Sequence, residues 1–171
     1  MDYEAPTSVE AAVAALAAAD DEARIFAGGT DLLVQLREEM IRPSLFVDIK
    51  RISETRSIIV DDSYVRIGAA VTGAELSEHQ AVKALLPGVV EAVELIGSAQ
   101  IQARATVGGN LCNASPAADS VPAMIAAGAV AASAVTAVAI APVRVAGRRT
   151  AACRTAAVRC RRRASFAARR D

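Results

Sequence analysis

The feature that most constrains this chain is a break in its character near residue 130. Residues 1–130 hold 9 basic and 18 acidic residues, a balance of −9, whereas residues 131–171 hold 10 Arg and one Asp, a balance of +9. The net charge of zero conceals two halves of opposite sign, which points to a tail of different character or origin. In that tail 14 Ala and 10 Arg make up 24 of 41 residues, with neither strand alternation nor helical periodicity. A chain of 171 residues is one ordinary domain or a little more, and here only the first part carries the pattern of a packed core.

Composition excludes several chemistries. Three cysteines (Cys112, Cys153 and Cys160) without CxxC spacing, and a single histidine (His79), cannot assemble a zinc or iron–sulfur ligand set. They give no disulfide framework, so a reducing cytoplasm is the expected compartment. The start, Met1-Asp2-Tyr3-Glu4, is acidic, whereas a signal peptide needs a basic region before its apolar stretch. No Ser/His/Asp or Cys/His catalytic set is present. His79 reads as a surface helix residue and Cys112 as a small packed one.

Helix and strand signals interleave through the first 130 residues, which predicts a mixed α+β fold. Thr7-Ser8-Val9-Glu10 reads as a capping box opening a helix to about Ala19. Arg24 to Ala27 is a short strand ending in Gly28-Gly29. Thr30 or Asp31 then caps a helix from Leu32 to Glu39. Leu45 to Asp48 is the next strand, and Ile58–Val60 with Tyr64–Ile67 flank Asp61-Asp62-Ser63 as a hairpin. Thr72-Gly73-Ala74-Glu75 is a second capping box. Pro87 suits the first turn of a helix closed by Gly97, and Pro122 to Ala127 is a short apolar helix after a polar segment, Ser98 to Asn110.

Two glycine pairs carry the chemistry. In Phe26-Ala27-Gly28-Gly29-Thr30-Asp31-Leu32-Leu33 a strand runs into two glycines and a helix start, placing several unpaired backbone N–H groups at one point. Glycine permits a sharp bend and lets a phosphate approach without meeting a Cβ. The alternative is an ordinary strand–helix turn. Thr106-Val107-Gly108-Gly109-Asn110 repeats the arrangement with Thr and Asn donors, and alone it is also compatible with a hairpin turn. Neither segment is GxGxxG and neither ends in GK[ST], so Rossmann and P-loop folds are not supported. Two such segments eighty residues apart (28 to 108) point to a different way of holding a dinucleotide.

In order and spacing, FAGGTDLL (26–33), RIGAAVT (66–72) and SAQIQARATVGGNLCNASPAADSVPAMIAAGA (98–129) resemble the FAD-binding subunit of the molybdenum hydroxylases, the xanthine dehydrogenase family. The resemblance covers roughly residues 1–130. It implies the FAD-binding fold shared with vanillyl-alcohol oxidase and p-cresol methylhydroxylase, here truncated. Ala27, Gly28, Gly29, Thr30 and Asp31, with Leu32 and Leu33, correspond to the family's first pyrophosphate loop, and Thr106, Val107, Gly108, Gly109 and Asn110 to its second. Asp119 matches an acidic residue on the ribityl or ribose side of the flavin, although it can also cap the helix that follows it. Ile96 falls where relatives carry an apolar or aromatic residue beside the cofactor.

The resemblance further implies partners. In the family, substrate is oxidised at a molybdenum cofactor on a large subunit, and electrons pass through [2Fe-2S] clusters on a small subunit to FAD and on to an acceptor. The protein then orients the flavin and tunes it, with no catalytic side chain and no metal of its own. A truncated fragment without function, or another flavoprotein of the same fold, is the alternative.

For residues 131–171 the composition reads as a disordered or out-of-frame tail. A nucleic-acid arm would use Arg161-Arg162-Arg163 on phosphates, but no base-reading residues accompany them. Ala123 to Val143 is uncharged and long enough to span a bilayer, yet it is mostly alanine and is interrupted by Gly128, Ser133, Thr136 and Pro142. Neither nucleic acid nor membrane is expected as a partner.

Overall fold

The computed structural model describes residues 1–19, 22–132 and 138–142. Its first layer is a parallel sheet of β1 (Asp2–Glu4), β2 (Ala23–Phe26) and β3 (Leu45–Asp48), in the order β1-β3-β2. Parallel neighbours need crossovers, and these are supplied by α1 (Val9–Ala18) and α2 (Thr30–Arg37). The central strand β3, Leu-Phe-Val-Asp, is buried at all four positions, as expected of a parallel strand covered on both faces.

Two single turns of 3₁₀ helix, Ile49–Arg51 and Ser53–Thr55, lead into the second layer. The buried Thr55 hydroxyl donates to the carbonyls of Ile49 (2.7 Å) and Ile52 (2.8 Å) and so fixes this corner. The second sheet is antiparallel. It holds β4 (Ile58–Val60), β5 (Tyr64–Ile67), β6 (Val130–Ala132) and β7 (Val138–Pro142), in the order β4-β5-β7-β6. Between β5 and β6 the chain forms α3 (Gly73–Glu78), α4 (Gln80–Leu85), α5 (Pro87–Glu94), α6 (Ala99–Gln102), α7 (Val107–Asn113) and α8 (Ser120–Ala126).

Two apolar clusters result where one core is expected from chain length. One lies under the parallel sheet and includes Ala12, Leu45, Val47, Ile49 and Ile52. The other joins β5 to the helices through Val65, Ile67, Leu76, Val90 and Met124. Strands β6 and β7 cross the composition break at residue 130. Residues 143–171, with Cys153, Cys160 and the Arg161–Arg163 run, lie outside the described residues. Of the apolar stretch from Ala123 to Val143, residues 123–126 lie in α8, 130–132 in β6 and 138–142 in β7, and no helix among the described residues is long and apolar enough to cross a membrane.

Several local expectations hold. The capping box is complete, with Thr72 Oγ1 accepting from Glu75 N (3.2 Å) and Glu75 Oε2 accepting from Thr72 N (2.8 Å). The 58–67 hairpin forms, and Pro87 opens α5. Others do not. The cap of α1 is Ser8, whose Oγ accepts from Ala11 N, so Glu10 is one residue too early to close a box. His79 is a helix cap, its Nδ1 accepting from Val82 N at 3.3 Å.

Candidate functional site

Gly28 and Gly108 sit at the rim of one cleft of about 870 Å³, a size suited to a large cofactor. Helix α2 is capped by Gly29, which occupies the left-handed region at φ +77° and makes no side-chain bond to the helix. The expected caps, Thr30 and Asp31, are instead the first two helical residues, because the turn out of β2 requires a positive φ that glycine adopts without strain. The first helical bond is Leu33 N to Gly29 O (3.0 Å), so the N–H groups of Thr30, Asp31 and Leu32 have no intrahelical acceptor.

The second glycine pair is not a loop. Thr106 caps α7, and Gly108 and Gly109 are its second and third residues. Thr106 Oγ1 accepts from Gly109 N at 2.9 Å, which makes the hydroxyl oxygen the helix cap and leaves its O–H as a donor. The first-turn N–H groups of Val107 and Gly108 lack intrahelical acceptors. Two helix starts from distant sequence thus meet at one cleft, each presenting backbone donors and the positive end of its peptide dipoles.

The close packing of these starts assigns a role to each glycine. A Cβ on Gly28 would lie 2.3 Å from the Arg104 carbonyl oxygen, and one on Gly108 would lie 2.8 Å from that of Ala69. These two glycines are required by the protein's own backbone, a reason that sequence reading had given to a phosphate. A Cβ on Gly109 would meet only Thr106 Oγ1, at 2.8 Å, so this is the position where the missing side chain leaves room for a ligand.

Twelve of the fourteen residues singled out from sequence line the cleft; Leu33 and Val107 do not. Leu33 is exposed, and Val107 is buried in the core beneath α7. Ile96 is half-buried on the wall. Asp119 stands at the cap position of α8 with helical φ and ψ and makes no capping bond, so its exposed carboxylate is not used by the helix. Asn110 Oδ1 accepts from the buried Ser120 hydroxyl at 2.6 Å, which leaves its NH₂ as the remaining donor. Cys112, expected to be packed, is exposed along the cleft wall, where partial desolvation pushes its thiol pKa up.

Sequence reading missed the cleft's supports. Gln35, four residues after Asp31 and therefore on the same helical face, lines the cleft and donates to Asn113 Oδ1. Lys50 Nζ donates to the Ala27 carbonyl at 2.9 Å, pairs with Asp48 at 2.8 Å and lies 4.1 Å from the Phe26 ring centroid. No local signal marks it. Burial raises the Asp48 pKa, but hydrogen bonds from Lys50 and from the Tyr3 hydroxyl outweigh this and hold it below the ordinary value. Among the described lining residues Arg24 is the one cation beside the carboxylates of Asp31 and Asp119, so most of the donors offered to an anion are peptide N–H groups. Such a cradle, beside apolar wall from Leu16, Ile49 and Ile101, fits an elongated ligand with a diphosphate and a flat ring.

The comparisons agree with this chemistry. Residues 1–140 match the family described as FAD binding domain in molybdopterin dehydrogenase. The chain is 37% identical over 126 residues to the caffeine dehydrogenase subunit beta of Pseudomonas sp. (strain CBB1), covering 74% of this chain and 42% of that one. It is 37% identical over 128 residues to the carbon monoxide dehydrogenase medium chain of Hydrogenophaga pseudoflava, covering 75% and 45%. Against the xanthine dehydrogenase FAD-binding subunit of Escherichia coli O157:H7 the identity is 40% over 106 residues, covering 61% and 36%. The chain therefore spans less than half the length of these relatives. Among solved structures, reconstituted CO dehydrogenase from Oligotropha carboxidovorans superposes with a TM-score of 0.78 at 27% identity, covering 84% of this chain and 59% of that one. A cleft built from two helix starts, with sequence kinship across both of them, identifies the chain as a member of the family of FAD-binding domains of molybdopterin dehydrogenases, whose cofactor is FAD.

Proposed function

We propose that this chain holds FAD as part of the flavin subunit of a molybdenum hydroxylase, with the architecture of the vanillyl-alcohol oxidase and p-cresol methylhydroxylase flavoproteins. The observation that carries the reading is the convergence of the α2 and α7 N-termini on one cleft. When bound, FAD supplies the redox chemistry, taking electrons from [2Fe-2S] clusters of a small partner subunit and passing them to an acceptor. Substrate oxidation belongs to a molybdopterin-binding large subunit.

The residues of this chain bind and orient. The N–H groups of Gly28, Thr30, Asp31 and Leu32 would bind the diphosphate together with that of Gly108. Asn110 NH₂ adds a donor, and Asp119 accepts from a ribose or ribityl hydroxyl. Ile96 and Leu32 exclude water from the flat ring.

Titration of the full chain with FAD, FMN and riboflavin, followed by flavin fluorescence, tests the assignment. FAD is expected to bind about a hundredfold more tightly than riboflavin, because each charge-assisted contact to the diphosphate contributes about 1.5 kcal/mol or more. Equal affinity for FAD and riboflavin would remove the diphosphate role from both helix starts.

A further inference from the structure

Outside the cleft, Lys50 is the charged group whose contacts converge most closely on the ligand-binding backbone. It is not on the cleft wall. It stands behind the first glycine segment, on the 3₁₀ turn that follows β3, with its ammonium shared between Asp48, the Ala27 carbonyl and the Phe26 ring. Phe26 is also the ring on which Gly29 packs: a Cβ on Gly29 would lie 2.5 Å from Phe26 Cζ. One side chain therefore grips both the carbonyl before Gly28 and the surface beneath Gly29.

We propose that Lys50 is a positioning residue for the first phosphate-binding segment, acting on a bound diphosphate through the Ala27–Gly28 peptide. The proposal rests on the flavin reading above for the identity of the ligand, but not for the contact itself. No peptide in the described chain is cis, so the Gly28 N–H points away from the Ala27 carbonyl that Lys50 holds. Fixing the carbonyl fixes the direction of the N–H. The ammonium also polarises the peptide, which makes that N–H a stronger donor. A cleft with little cationic lining thus gains a positive charge indirectly, relayed through one peptide unit. Asp48 holds the ammonium in place, and Tyr3, hydrogen-bonded to Asp48, ties the arrangement to β1.

The test uses the full chain, first without flavin. In ¹H–¹⁵N spectra Lys50→Met is expected to move the Gly28 amide upfield, while Lys50→Arg, which keeps a charged donor, leaves it near the wild-type position. Because Lys50→Met alone leaves the Asp48 carboxylate unpaired, Lys50→Met combined with Asp48→Asn is the variant that keeps the fold. Its apo unfolding midpoint is expected to match wild type. In flavin titrations both variants lacking Lys50 should bind FAD about tenfold more weakly, the loss of one charge-assisted hydrogen bond, with riboflavin affinity unchanged and Lys50→Arg restoring FAD binding. An unmoved Gly28 amide overturns the relay whatever the flavin result. A moved amide with undiminished FAD affinity overturns its role in binding. A moved amide in a protein that does not take up FAD at all keeps the contact and refutes the flavin reading instead.

Discussion

Gln35 Nε2 on α2 donates a 2.8 Å hydrogen bond to Asn113 Oδ1 on α7, joining the two helices whose N-termini form the cleft. This bond ties together segments that sequence separates widely and the ligand needs side by side. Gln35→Leu and Asn113→Ala are each expected to weaken FAD binding by about three- to tenfold, as for the loss of a neutral hydrogen bond. The double variant should lose little more than either single one, giving a coupling of about 1 kcal/mol. Strict additivity in the flavin titrations would show that the bond does not set the spacing.

The four glycines separate by mechanism. Gly28→Ala and Gly108→Ala push a methyl group into the protein's own backbone, and each is expected to cost about 2 kcal/mol or more of stability. Gly29→Ala must hold a positive φ against the Phe26 ring and costs about 1–2 kcal/mol for the backbone alone. Gly109→Ala disturbs only the Thr106 cap, for about 1 kcal/mol, while intruding where a ligand would approach. Denaturant unfolding measured beside FAD affinity should therefore show Gly109→Ala with the largest affinity loss per unit of stability lost. His79→Ala, which removes the α4 cap, is expected to lower stability by about 1 kcal/mol and leave FAD affinity alone.

These four positions also show what sequence could and could not deliver. The Thr72–Glu75 box and the 58–67 hairpin were legible because their signals are local and self-contained. The glycine pairs were legible as bends. Their partners, Arg104 and Ala69, are not encoded near them, so a clash with the chain's own backbone looked the same as room for a phosphate. The start of α7 was hidden for a related reason: Val107-Gly108-Gly109 has poor helix propensity, and the Thr106 cap and the Asn110–Ser120 bond supply what it lacks. Lys50 was invisible because two of its three contacts, Phe26 and Ala27, lie in a segment distant in sequence.

The Tyr3–Asp48 bond predicts a stability loss at both ends of the pH scale. The Asp48 carboxyl titrates below its ordinary 3.8, so its contribution is fully present above that value and is lost as pH falls through the lowered folded value. The Tyr3 phenol, raised above its ordinary 10.0 by donating to Asp48, contributes below that value and loses the contribution as pH rises through the raised one. Asp48→Asn should flatten the acid limb of unfolding free energy against pH, and Tyr3→Phe the alkaline limb. Unchanged slopes in both variants would remove this pair from the titration.

Strand β7 predicts where the chain can be shortened. It pairs with both β5 and β6, so ending the protein at residue 130 strips β5 of a neighbour and leaves only the β4–β5 ribbon of that sheet. Such a product is expected to aggregate, since a lone hairpin is marginal in water. Ending it after Pro142 should retain the midpoint and the flavin affinity of the full chain. Reading the gene in its other two frames beyond codon 140 tests the origin of the Arg-rich sequence, with family-like residues expected in one of them.

The two apolar clusters meet along the seam that the cleft occupies, with Ile49 and Ala69 contributed from one side and the α7 start from the other. The two clusters share no residue, so heating the empty protein is expected to spread its heat absorption over a broad, two-component peak. A dinucleotide lodged in the seam contacts both sides at once, and neither can then open without releasing it. Saturation should narrow the calorimetric trace to one sharp transition, so that the cofactor serves as the element that makes two half-domains melt as one.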